Sequence, residues 1–539
     1  MSIGLCAAGC NRGGEPNSVT PDNASQWPAP TNRIASIHFN GSANAAKDTN
    51  AAFLKRIWAL PQTQTLKGQT LDKLARVPFE LASQRGTAST NDFAVEIRPL
   101  LDDLVKTESW MELRGATNQT PDFSLAVKLD AERAELWRTN IATALSAWSG
   151  IAVTQMVAEG VSGWELRKHD PPNLIRFTRV GDWVVLSAGE DKISLADELV
   201  ANVKSNGRPC PMESNDVLTV EGNLTRLAQI VPLPTDLAAL HLASVHGQWS
   251  IRNDHVRTEI FAARDSAFEL TAEPWHIPTN AIRGQVISFA AAKGIGDWVA
   301  DRFPRLKMSP MPGEFFAWTL KALPFQGFVA ASVENASNAL QQIGPQLTAL
   351  NTNPPTVMPA NIEWQTNHEI LQVGGLPYIA PFLLGLHATN GDFLLSGVYP
   401  AAGPRTLLPP ALIEEILGRT NLAYYSWEMT GPCLDGWRNI IQLYLMISDF
   451  RQLGDTSASS LWIDAVSHQL GPAITEVTQS GTNELTFIRN SDVGFTSLEL
   501  IALANWLETP KFPFEKIPAP MERPKPRMHR PPKTPPSSH

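Results

Sequence analysis

The side chains best able to do chemistry in this 539-residue chain are its histidines, cysteines and paired acids. Four of the 11 histidines, His241, His246, His255 and His276, fall in one stretch, and imidazoles so gathered can ligate zinc. His241 and His246 have opposite parity on a strand, however, and would face opposite sides of a sheet. No metal is therefore expected there. Adjacent carboxylates at Asp102-Asp103 and Glu414-Glu415 read as helix starts, where negative charge suits the dipole. Neither pair is spaced as an acid and a base on one face. Gly294-Ile295-Gly296 lacks the third glycine of a dinucleotide loop, and His368-Glu369 has no second histidine at helical spacing. There is no Gly-x-Ser-x-Gly elbow and no phosphate-cradling glycine loop with lysine. No cofactor is expected, and no catalytic residue can be named.

The thiols say more. Leu5-Cys6-Ala7-Ala8-Gly9-Cys10 joins an apolar run to small residues and a cysteine, and a polar, Gly- and Pro-containing segment follows at once. Small residues before a cut fit a narrow protease subsite, and the thiol is the nucleophile that takes up lipid. Several acyl chains are needed, since one alone anchors only marginally. The stretch resembles the lipobox of bacterial lipoproteins, which are cut before the cysteine. That resemblance covers a short part of the chain and implies location rather than activity. Cys10 becomes the lipid attachment point, and residues 1–10 read as a truncated lipoprotein signal. Asn11 stands where lipoproteins held at the inner membrane carry Asp, so the outer membrane is the expected placement. With Cys6 removed and Cys10 lipidated, Cys210 and Cys433 are an even pair. They form either one long-range disulfide in an oxidising compartment or two buried thiols.

Residues 11–32 hold Gly13, Gly14, Pro16, Pro21, Pro28 and Pro30 among Asn, Ser and Thr, the composition of a flexible tether. A membrane-hung body needs one. The net charge of −9 argues against nucleic acid as a partner. Against that acidic body, residues 510–539 carry seven basic side chains and only Glu515 and Glu522, and are Pro-rich. They read as an extended, solvated tail. Trp outnumbers Tyr 16 to 5, which favours core filling over a recognition surface.

The body in between reads as α+β, with mainly antiparallel sheets. Ile34–Phe39 is a strand candidate, Ala51–Leu60 and Leu71–Leu81 are helices, and Phe93–Ile97 alternates as a strand would. An internal echo follows. Phe123–Leu129 is a strand, Asp130 caps a helix carrying Trp137 and Ile141, and Gly181-Asp182-Trp183 opens a later strand before a helix at Ser194–Val203. Phe328–Val333, Asn335, Leu340, Ile343 and Gly391-Asp392-Phe393 repeat that order and close on Pro410–Leu417. A looser third copy starts at Asn421. Residues 33–303 and 325–509 are read as two α+β halves joined by a Pro-rich linker over 304–324.

The expectation is a non-enzymatic lipoprotein, tied to the membrane by its lipid. It acts as a binding or scaffold module for another envelope protein or an amphiphile. The competing readings are an exported hydrolase with a site of dispersed residues, and an accessory subunit of a larger surface assembly. The oligomeric state is not legible.

Overall fold

The computed structural model describes residues 32–514 apart from 85–92, 116–119, 159, 170–171, 191–193, 211–215, 232–239, 269, 271–272, 305–306, 322–325, 353–360, 366–369, 375–379, 399–409, 448–456 and 511. Cys10, most of the expected tether and the tail from 515 lie outside the described residues.

Among the described residues twenty strands form one sheet in which every pairing is antiparallel. In the first part of the chain they are β1 (Arg33–Phe39), β2 (Ser109–Arg114), β3 (Asp122–Lys128), β4 (Thr154–Ala158), β5 (Val161–His169), β6 (Pro172–Val180), β7 (Trp183–Gly189), β8 (Leu218–Asn223), β9 (Leu242–Arg252) and β10 (His255–Arg264). The rest are β11 (Val286–Lys293), β12 (Glu314–Leu320), β13 (Gln326–Val333), β14 (Asn361–Gln365), β15 (Ile370–Gly374), β16 (Phe382–Ala388), β17 (Gly391–Gly397), β18 (Leu422–Met429), β19 (Pro472–Gly481) and β20 (Glu484–Ser491). Along the hydrogen-bond ladder the first ten run β4-β5-β6-β7-β3-β2-β1-β8-β9-β10. β10 then pairs with β20, and the ladder continues β20-β19-β18-β11-β12-β13-β17-β16-β15-β14. The second run is the first in reverse, each strand number raised by ten.

Helices cover both faces of this ribbon. They are α1 (Ser42–Ala45), α2 (Ala52–Ala59), α3 (Pro61–Gln84), α4 (Ala94–Lys106), α5 (Ala131–Ser149), α6 (Ser194–Asn206) and α7 (Leu224–Ile230), then α8 (Gly296–Arg302), α9 (Ala336–Thr352), α10 (Pro410–Leu417), α11 (Thr430–Ile447), α12 (Ala458–Ser467) and α13 (Ser497–Glu508). Local chemistry sets their limits. The Asp130 carboxylate accepts from the Arg133 N–H at the start of α5, and Gly150 ends that helix at φ 69. Ala134, Trp137, Ile141 and Ala144 recur at helical spacing and are buried. α13 opens on a reciprocal capping box between Thr496 and Glu499. No helix among the described residues is long and apolar enough to cross a membrane.

Four main cores hold these layers. α4 and α5 close over one face of the first run, on Val127, Trp164, Phe177 and Val184. α6 covers the other face, on Trp110, Ala126, Trp183 and Val185. The second run buries Phe289, Phe316, Trp318, Phe328 and Tyr425 under Trp275, Ile277, Ile282 and Ile416. α2 and α11–α13 share a fourth core around Leu434, Val466 and Leu500.

Three sequence expectations change here. Phe93–Ile97 leads into α4, not a strand, because Ile97, Leu100 and Leu104 continue its apolar positions at helical spacing. Asp102-Asp103 consequently sits near the end of α4, and Glu414-Glu415 likewise falls in the last turn of α10, where carboxylates oppose the dipole and are not helix starts. Asp103 is buried all the same, held by the Arg133 guanidinium at 2.7 Å and by Trp137 Nε1 at 2.9 Å. The stretch 304–324, expected as a linker, contains β12, which lies between β11 and β13. Pro310 and Pro312 precede that strand and remove no ladder donor from it.

Candidate functional site

In an antiparallel ladder, directly opposed residues project from the same face. One such rung crosses the first run through Ser187, Ser124, Glu112, Ser36, Glu221 and His246, on β7, β3, β2, β1, β8 and β9. Every member is polar. A rung of the second run passes instead through Gly397, Phe328, Trp318, Phe289, Trp427 and Ile474. There Trp318 stacks on Phe328 with ring centroids 5.5 Å apart. A side chain at Gly397 would enter the Phe328 and Phe382 rings at under 3 Å, so glycine is required beneath them.

The polar rung is organised by buried charge. Glu112 is 1% exposed. It accepts from Arg33 Nε at 3.1 Å, Arg114 Nε at 2.5 Å and Trp110 Nε1 at 3.1 Å. Arg114 forks onto Glu198 of α6 at 2.5 and 3.0 Å. Arg33 Nη1 reaches Glu221 at 2.9 Å, and Ser36 Oγ donates to the same oxygen at 3.3 Å. The other Glu221 oxygen lies 3.5 Å from His246 Nδ1. With His246 and then Arg33 beside it, the Glu221 carboxyl is held at about 2. Glu221 in turn raises the His246 imidazole above its ordinary value, against the opposing pull of burial.

At its Glu221–His246 end the rung opens into a groove of about 530 Å³. Arg33, Glu221, Asn223, Ser244 and His246 line one part, and Phe261, Ala263, Ser480, Glu484 and Leu485 line another. Phe261 is 45% exposed and tilts against His246 with centroids 6.1 Å apart. Charged, hydroxyl and apolar surface thus converge on one concavity, suited to a ligand with both polar and apolar parts. His246 is engaged by Glu221 and Gln248, which does not orient it as a base for Ser244 or Ser480. The arrangement can bind; it is not a nucleophile–base pair.

Of the residues singled out from the sequence, only His246 belongs to the groove. His255 faces Asp492 at 2.9 Å and His276 faces Glu314 at 3.3 Å, each on its own carboxylate, while His241 lies in a turn before β9 at φ 50. Cys210 is buried in the α6 core, whereas the buried Cys433 Sγ lies 3.6 Å from the Ile287 carbonyl at β11. The two thiols lie in separate parts of the fold and are not bonded to each other, so the disulfide reading is replaced by that of two buried thiols. Cys10 lies outside the described residues.

Sequence reasoning missed Arg33, Glu112 and Glu221. Ser-Trp-Met-Glu-Leu-Arg over β2 buries its second, fourth and sixth residues, so Glu112 and Arg114 occupy the inner positions that normally reveal a strand by being apolar. No apolar alternation could have found them, since the outer positions Met111 and Leu113 are more apolar than the inner Glu112 and Arg114.

No family model matches the chain, and no curated protein matches it. A solved structure described as "Structure of crystal form III of TP0453" matches 44% of this chain and 78% of its own, at 9% identity and a TM-score of 0.23, a likeness too slight to carry an argument.

Proposed function

We propose that this chain is a non-enzymatic lipoprotein of the bacterial envelope, built from two copies of a ten-strand unit, only the first of which keeps an open binding site. The duplication is supported by the ladder order and by helices α5 and α9 at matching places in the two runs. A sequence echo supports it further: Trp27-Pro28-Ala29-Pro30-Thr31-Asn32 precedes β1, and Trp275-His276-Ile277-Pro278-Thr279-Asn280 precedes β11. On this reading the division between copies falls after β10. The segment from Asn421, expected as a third copy, supplies β18–β20, which complete the second run.

The observation that carries the binding role is the contrast between the two rungs. The polar rung of one unit ends on an open groove lined by its Glu221 and His246, and a rung on the sheet face of the other is filled by rings. Burying Glu112 and two arginines costs desolvation that an apolar row avoids. A polar interior retained beside an open concavity fits ligand binding better than it fits packing. The ligand class is an envelope protein segment or an amphiphile, with apolar parts on Phe261 and Leu485 and polar parts near Arg33 and His246.

Photo-crosslinking in intact cells tests this. A crosslinker at Ala263, in the groove, is expected to give one discrete adduct, while one at the exposed Val329 of the second run is expected to give none. Equal labelling at both positions, or none at Ala263, overturns the proposal. Mass spectrometry of the mature N-terminus, with Cys10→Ser as comparison, tests the anchor separately: an unacylated native protein removes the envelope setting.

A further inference from the structure

The ladder has two open ends, at β4 and β14. Among the described residues β4 pairs only with β5, in a hairpin where Ala158 opposes Val161 across two residues. Residues flanking such a two-residue turn exchange hydrogen bonds, and so does every second pair behind them. Ala158, Met156 and Thr154 are thereby committed to β5, and the backbone groups of Gln155 and Val157 point to the free edge. Gln155 is exposed, and Val157 is exposed to 87%. Natural edge strands discourage pairing with lysine, proline or a bulge. Residues 152–158, Ala-Val-Thr-Gln-Met-Val-Ala, contain no charge and no proline, and they read nearly alike in both directions about Gln155.

We propose that this edge is a homodimer interface, in which β4 pairs antiparallel with β4 of a second copy about a two-fold axis at Gln155. In that register Val157 lies opposite the partner's Val153, and Met156 opposite the partner's Thr154. Val153 is half-buried against the core of Trp137 and Trp164, so the bare Val157 gains an apolar margin to cover. The chain already uses this junction once, where the edges of its two runs join through β10 and β20 over eight antiparallel rungs. β14 is unsuited to the same operation, because its central residue, Glu363, would meet its own copy at the axis. An interface this short is weak by itself, and tethering two copies to one surface would raise their effective concentration.

Sedimentation velocity of the full chain over its whole soluble concentration range tests the proposal. The wild type is expected to pass from monomer to dimer as concentration rises. Gln155→Lys and Gln155→Glu each set like charges at the axis and are expected to shift that midpoint upward about fivefold or more. The lysine variant should shift more, because Arg138 Nη1 already lies 3.2 Å from Gln155 Oε1. An equimolar mixture of the two variants is expected to restore dimerisation, since opposite charges then meet; this result cannot come from misfolding. A wild type that stays monomeric throughout, single variants that dimerise like wild type, or a mixture that does not recover each overturns the proposal.

Discussion

Two rungs of the one sheet are built in opposite materials. Through β2 and its neighbours in the first run, one passes Ser124, Glu112, Ser36 and Glu221; through β12 and its neighbours in the second, the other passes Phe328, Trp318, Phe289 and Trp427. Backbone hydrogen bonding is indifferent to the exchange, because a ladder needs only N–H and C=O groups in register. What differs is how each rung excludes water. Stacked rings do it by area and contact, and the loop carrying Trp275 and Ile277 can then lie flat over them. A carboxylate between two arginines must instead satisfy each lone pair, and its outer end stays wet where Glu221 meets His246. Closed packing and an accessible polar site are thus alternative uses of one framework.

Mutations on the two rungs should separate these uses. The largest expected effect is that of Trp318→Ala, which removes a 1% exposed indole stacked on Phe328 and should cost about 3–5 kcal/mol in denaturant unfolding. Glu112→Gln, on the polar rung of the first run, should cost about 2–3 kcal/mol, since the two arginines lose their shared carboxylate but keep Glu221 and Glu198. An unchanged unfolding midpoint for Glu112→Gln would remove buried charge as the organiser of the first rung.

His246→Gln comes next and depends on pH. Glu221 raises the His246 pKa on folding, so the stabilisation is fully present below the unfolded value and is lost as pH rises through the higher folded one. The advantage of wild type over the variant should therefore shrink as pH rises from the ordinary imidazole range upward, and at 38% exposure it should stay below about 1 kcal/mol. An advantage that grows over that interval would reverse the assigned sign. Phe261→Ser should be smallest, within about 0.5 kcal/mol in stability, because nearly half the ring is already in water. It should nonetheless reduce adduct formation at Ala263, and full retention of the adduct would take the ring out of ligand binding.

Much of the element order is readable in the chain, for reasons that are local. Asp130 and Asn335 cap helices through their own side chains, 2.8 Å from the Arg133 and Asn338 amides. Gly181-Asp182 turns the chain into β7 with Gly181 at φ 56, and Gly391, at φ 135, opens β17 directly after the turn at Thr389-Asn390; neither turn needs a distant partner. The α+β class with antiparallel pairing follows from such signals. β2, β4, β11, β12 and β14 were not legible. β2 hides charge on its inner face, β11 is a run of small residues from Ala290 to Ala292, and β12 follows prolines that read as a boundary.

The sequence by itself determined the α+β class, the antiparallel pairing and several helix caps, because caps, turns and periodicity act over a few residues. Only the tertiary structure decided that Arg33 would meet Glu112 and Glu221, 79 and 188 positions away. Ladder neighbours are chosen by the packing of the whole sheet, and a single strand carries no mark of which strand will lie beside it.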